Sequence, residues 1–87
     1  MRVSICTSVL NQSSYLTKMI ESVRAQTFDD WELVIVDDGS TEDIAAVVNS
    51  FNDARIKLTR WDQNRGIPHG LNHAFELAQG DYLQPLS

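Results

Sequence analysis

Leu33-Val34-Ile35-Val36-Asp37-Asp38-Gly39-Ser40-Thr41 is an apolar run that ends in two acids, a glycine and two hydroxyls. Four successive apolar residues suit a strand buried on both faces of a parallel sheet, where no solvent-facing side demands polar alternation. Asp37 and Asp38 then stand at the carboxyl end of that strand, the end at which open α/β sheets bind ligands. Gly39 permits a tight turn, and Ser40 or Thr41 is expected to cap the next helix, with Asp43 in its first turn. The stretch alone fits equally well a capped strand–turn–helix whose acids are merely solvated.

The flanks supply the rest of the fold. Residues 3–9 form a short, mostly apolar strand, and residues 11–14 offer turn and cap chemistry. Leu16, Met19, Ile20 and Val23 follow at the i, i+3, i+4, i+7 spacing of one buried helical stripe, which fades near Gln26 and Thr27. The second strand is expected over residues 31–36. Ile44, Val47, Val48 and Phe51 repeat the stripe until residues 52–54 break it. A third strand is expected over residues 55–61, with Ile56, Leu58 and Arg60 on one face and Lys57, Thr59 and Trp61 on the other. After a polar loop at 62–66, Leu71, Ala74, Phe75 and Ala78 mark a third helix, closed by Gly80 at its C′ position. Residues 82–86 read as a fourth strand. The order β-α-β-α-β-α-β predicts a three-layer α-β-α, Rossmann-like parallel sheet with right-handed crossovers. Residues 1–87 make one small domain, and the chain is expected to be the front part of a longer one, because no helix follows the fourth strand.

The 87 residues carry seven Lys and Arg against twelve Asp and Glu, a net charge of −5. That balance argues against a nucleic-acid surface, which needs a basic patch to neutralise phosphates. A hydrophobic share of 43% is that of an ordinary soluble protein, and no run approaches a membrane span or a signal-peptide core. Cys6 is the only cysteine, so no intramolecular disulfide can form. A reducing, cytoplasmic setting is expected.

In ordered succession, several short strings resemble the amino-terminal, nucleotide-binding part of the family 2 glycosyltransferases, inverting enzymes with a GT-A fold. They are Thr7-Ser8-Val9-Leu10-Asn11, Glu21-Ser22-Val23-Arg24-Ala25-Gln26-Thr27-Phe28 and Glu32-Leu33-Val34-Ile35-Val36-Asp37-Asp38-Gly39-Ser40-Thr41. Asn64-Arg65-Gly66, Leu71-Asn72 and Leu77-Ala78-Gln79-Gly80-Asp81-Tyr82 follow in the family's order. Each string is weak alone; their order and spacing together are specific, and they cover essentially the whole chain.

The resemblance implies a site for a nucleotide-diphospho-sugar, with a uridine-diphospho-sugar as the expected donor. Thr7, Val9, Asp37 and Asp38 would hold the nucleoside, with Asp38 accepting a hydrogen bond from the base and Asp37 bracing the turn or reaching the ribose. A carboxylate accepts only, which suits it to reading a base or ribose donor. Arg65 would stand near the phosphates, and Asn72 near the donor, or else as a plain helix-bracing amide. Leu10 departs from the family's frequent tyrosine and offers area without a π face. The family's Asp-x-Asp metal motif follows the fourth strand, and Ser87 stands at its threshold. Manganese or magnesium is therefore expected in the full-length enzyme and not on this chain alone. Without that motif and the later catalytic base, the chain is expected to bind donor without turnover, and no catalytic residue is assigned within it.

Rival readings are few. His69 and His73 are four apart with Glu76 beyond, a spacing that can bind zinc, but no fourth ligand is evident and a solvated helix face explains them. Trp31 and Trp61 read as core margin. The other function class is a non-catalytic nucleotide-binding or oligomerising module, a homodimer built through the exposed edge of the fourth strand that Pro85 only partly blunts.

Overall fold

The computed structural model describes residues 1–86, and Ser87 lies outside them. The elements alternate strictly: β1 (Val3–Val9), α1 (Ser13–Arg24), β2 (Trp31–Asp38), α2 (Ile44–Phe51), β3 (Ile56–Trp61), α3 (Ile67–Leu77) and β4 (Tyr82–Pro85). All pairings are parallel, in the strand order β3-β2-β1-β4. The chain winds outward from β1 through β2 to β3, then returns to the far side of β1. That reversal sends the last crossover helix to the opposite face.

Two apolar layers confirm this arrangement. On one face, Ile5 and Val9 of β1 and Leu33 and Ile35 of β2 meet Leu16 and Ile20 of α1 and Ile44 and Val48 of α2. On the other, Cys6, Val34 and Val36 meet Ala74, with Leu71, Phe75 and Trp61 packed around them. β2 is buried along its whole length, as its unbroken apolar run requires. Burial, and then the charge of Glu32, push the Cys6 thiol up to about 11, so it is an inert core group.

The structure moves several expected boundaries. β2 continues through Asp37 and Asp38, which keep their places in the ladder opposite Arg60 and Trp61 of β3. α2 is capped by Asp43, whose carboxylate accepts the Ala46 N–H at 3.0 Å, rather than by Ser40 or Thr41. α3 ends at Leu77 with Ala78 already extended, so Gly80 does not close it. Gly80 is required for a different reason: a Cβ there would stand 2.5 Å from the Ser4 hydroxyl and 2.8 Å from the Arg2 carbonyl. Arg60 is exposed, and β3 begins one residue later and β4 ends one residue earlier than the pattern suggests.

Candidate functional site

Three loops meet at the carboxyl end of the sheet, and side-chain acceptors tie them together. Asn11, in the left-handed region at φ 50°, accepts the Thr41 and Glu42 N–H groups on Oδ1 at 2.8 and 3.1 Å. Its own N–H donates to Ser40 Oγ at 2.9 Å. The β1–α1 turn is thereby stitched to the β2–α2 turn, which is the work Ser40 and Thr41 do instead of capping.

The two acids hold backbone. Asp37 is buried and accepts the Ser40 N–H at 3.0 Å, so it braces the turn, one of the two roles open to it. Asp38 is fully buried; Oδ1 accepts the Arg65 N–H at 2.7 Å and Oδ2 the Gly66 N–H at 3.0 Å. Gly39, at φ 81°, lies so close beneath this loop that a Cβ would reach 2.7 Å from the Asn64 nitrogen. Both sides of the contact therefore need their residue type: an acceptor-only side chain at 38 and no side chain at 39.

Where the winding reverses, a crevice of about 280 Å³ opens beside β1 and β4. Thr7, Ser8 and Val9 form its β1 wall, Ile67 and Leu71 its α3 wall, and Pro85 its β4 wall. This is the switch-point position at which doubly wound sheets bind ligands. A larger groove of about 420 Å³ runs beside α1 and β4 away from the strand ends, with Ile5 and Val23 in its walls. The crevice thus brings Thr7 and Val9 together. Arg65 stands apart: its guanidinium lies 4.7 Å from the ring centroid of Trp61, in an open depression shared with His69, Asn72, His73 and Glu76. Its backbone, not its side chain, links it to Asp38.

A polar cluster at the other end of β2 escaped the sequence reading. Glu32 is buried and accepts from Ser4 Oγ at 2.5 Å, Lys57 Nζ at 2.9 Å and the Gln79 N–H at 2.6 Å. Burial pushes its carboxyl upward, but the bonds from Ser4, Lys57 and Gln79, with the Lys57 charge, outweigh this and hold it at about 2. Ser4 Oγ also accepts the Gly80 N–H at 2.8 Å, so one acid fastens β1, β3 and the approach to β4. The one available signal was an acid inside an apolar strand; its partners lie 25 to 47 residues away.

The acid pair does not fit a divalent metal, since both carboxylates are buried and already bonded to backbone N–H groups. Among the described residues no group of three or more His, Cys, Asp and Glu could hold a metal ion. His73 Nδ1 instead approaches Glu76 Oε1 at 3.6 Å, and its ring lies 5.4 Å from that of Trp61. No helix among the described residues is long and apolar enough to cross a membrane.

The family model Glycosyl transferase family 2 matches residues 4–86. This chain belongs to that family. It is 32% identical over 85 residues to EpsE of Bacillus subtilis, described as a glycosyltransferase, covering 94% of this chain and 31% of EpsE. It is 37% identical over 83 residues to WcaA of Escherichia coli, described as a colanic acid biosynthesis glycosyl transferase, covering 93% of this chain and 30% of WcaA. The crystal structure of S. aureus TarS 1–349 in complex with UDP-GlcNAc superposes with a TM-score of 0.91 at 27% identity, covering 99% of this chain and 26% of TarS. The chain thus spans between a quarter and a third of the length of these relatives. The parallel α/β architecture is that of the GT-A, Rossmann-like neighbours.

Proposed function

We propose that the carboxyl end of this sheet binds the nucleoside diphosphate of a nucleotide-sugar, as the donor half of an inverting glycosyltransferase. The supporting observation is the crevice where the strand order reverses beside β1, walled by Thr7 and Val9, at the same end of the sheet as the turns that Asp37 and Asp38 fasten. A uridine-diphospho-sugar is the expected donor, in keeping with the UDP-GlcNAc complex of TarS. In the whole enzyme an acceptor hydroxyl, giving its proton to a catalytic base, attacks the anomeric carbon of the sugar and displaces the nucleoside diphosphate; this chain alone binds without turnover. Manganese or magnesium belongs to the full-length enzyme, on residues other than the acid pair. Surface polysaccharide synthesis is the process this reading favours, in keeping with the description of WcaA, and a cytoplasmic setting is part of the same proposal.

An amide-proton NMR titration with uridine and guanosine diphosphates tests this. Shifts centred on Thr7, Val9, Asp38 and Gly39, absent in Thr7→Val and Asp38→Asn, are expected. A folded spectrum that neither nucleotide moves would refute it.

Assembly through β4 is less well supported. The N–H groups of Tyr82 and Leu86 point to β1, bonding Arg2 and Cys6 carbonyls, so by alternation Leu83 and Pro85 face the open edge. Pro85 has no N–H, which leaves Leu83 as the outward donor of β4 and makes a poor template for a second strand.

A further inference from the structure

We propose that Ser8 and the first turn of α3 form an oxyanion seat in the crevice, which takes a phosphate group of the donor; this rests on the nucleotide reading above. The first observation is an orphan. Ser8 is only 9% exposed, and its Oγ has no hydrogen-bond partner among the described residues. A buried hydroxyl without a partner opposes folding, and its retention calls for a reason.

The second observation is what faces that hydroxyl. Ser8 is the penultimate residue of β1 and projects toward α3, where it meets Gly70 in the first turn. A Cβ on Gly70 would overlap Ser8 Oγ and stand 2.8 Å from Ser8 Cβ, so bare helix backbone lies directly against the orphan. α3 starts without a side-chain cap, because its N-cap residue is Gly66. The Gly66 N–H is already given to Asp38, and the Gly66 carbonyl receives the Gly70 N–H at 3.1 Å. Pro68 has no N–H, and helix geometry leaves those of Ile67 and His69 without an intrahelical acceptor. The positive end of an 11-residue helix and an unused hydroxyl therefore adjoin one another.

The third observation is the electrostatic setting. Ser8 and Ile67 both border the crevice, and none of the described residues lining it is an Asp or a Glu. In a chain of net charge −5, that is a local freedom from repulsion. The donors offered are neutral N–H and O–H groups, the set that receives phosphate oxygens at helix N-termini. Arg65, held on Trp61 outside the crevice, is not needed for this contact.

The test compares uridine, UDP and inorganic phosphate as ligands of the wild-type chain and of Ser8→Ala, by titration calorimetry and amide NMR. UDP is expected to bind more tightly than uridine. Ser8→Ala should weaken UDP about tenfold, the scale of one hydrogen bond to a charged group, with uridine unchanged. Its thermal midpoint should stay level or rise, since the orphan is gone; a merely structural serine would not separate the two ligands. Inorganic phosphate moving the Ile67 and His69 amide signals in wild type alone would support a seat that reads phosphate by itself. Equal affinity for uridine and UDP in wild type, or unchanged UDP affinity in Ser8→Ala, would overturn the seat while leaving the nucleoside site standing. A folded wild type that binds neither uridine nor UDP would overturn both.

Discussion

The carboxylate of Asp38 accepts the backbone N–H of Arg65 at 2.7 Å, so the acid that ends β2 fixes the loop that follows β3. The contact spans 27 residues of sequence and is doubled by the Gly66 N–H on the second oxygen. It makes Asp38 the fastening of the loop that leads into α3. The same loop rests on Gly39, so the two positions act as one joint.

Asp38→Asn leaves one acceptor oxygen for two N–H donors and turns an amide toward one of them. A destabilisation of about 2 kcal/mol is expected, the scale for a buried donor left without a partner. Denaturant unfolding measures it, and amide exchange at Arg65 and Gly66 should accelerate before the strand interiors do. Unchanged exchange at those two amides would show that the loop is held by something else.

Gly39→Ala meets two obstacles, a φ of 81° and a Cβ placed 2.7 Å from the Asn64 nitrogen. The loss should reach about 2 kcal/mol or more. Gly66→Ala, at φ 99° but with its nearest neighbour 3.7 Å away, should cost less. Thermal unfolding of the two variants side by side tests the ranking, and equal losses would count against the close-contact explanation.

Glu32 and Asp53 set the acid limb of stability. Glu32 is held at about 2, against an ordinary 4.5, by bonds from Ser4, Lys57 and Gln79 that overcome its burial. Asp53 is held at about 2, against 3.8, chiefly by its bond from Arg55, aided by the Arg24 charge. Both folded values lie below the unfolded ones, so the folded state prefers the ionised groups. Their stabilisation is complete above the ordinary carboxylate range and is lost as pH falls from there toward 2. Unfolding free energy measured from pH 7 to pH 2 should fall over that window, and Glu32→Gln should flatten the fall. A parallel curve for the variant would disprove the assignment to Glu32.

Asn11→Ala removes the acceptor for the Thr41 and Glu42 N–H groups and leaves a non-glycine at φ 50°. A loss of about 2 kcal/mol is expected. Asn11→Gly relieves the backbone but not the missing acceptor, so it should fall between wild type and alanine. Urea midpoints of the three proteins decide this, and an alanine variant as stable as wild type would show that the two turns are joined without Asn11.

Local periodicity made the element order and the buried stripes legible from the sequence, because Leu16, Met19, Ile20 and Val23 must share a helix face wherever the helix packs. The run from Leu33 to Asp38 likewise fixed a doubly covered strand with acids at its carboxyl end. The ordered motifs placed the chain among the family 2 glycosyltransferases, and the family match agrees. Tertiary structure alone decided the strand order and hence the crevice beside β1. It also decided that Asp43 rather than Ser40 or Thr41 caps α2, that Gly80 is small to admit Ser4, and that Asp38 and Glu32 spend their lone pairs on distant partners. Those outcomes depend on which groups lie within about 3 Å after folding. Sequence periodicity specifies which face of an element is buried, but not which donor from another loop will meet a given acceptor there.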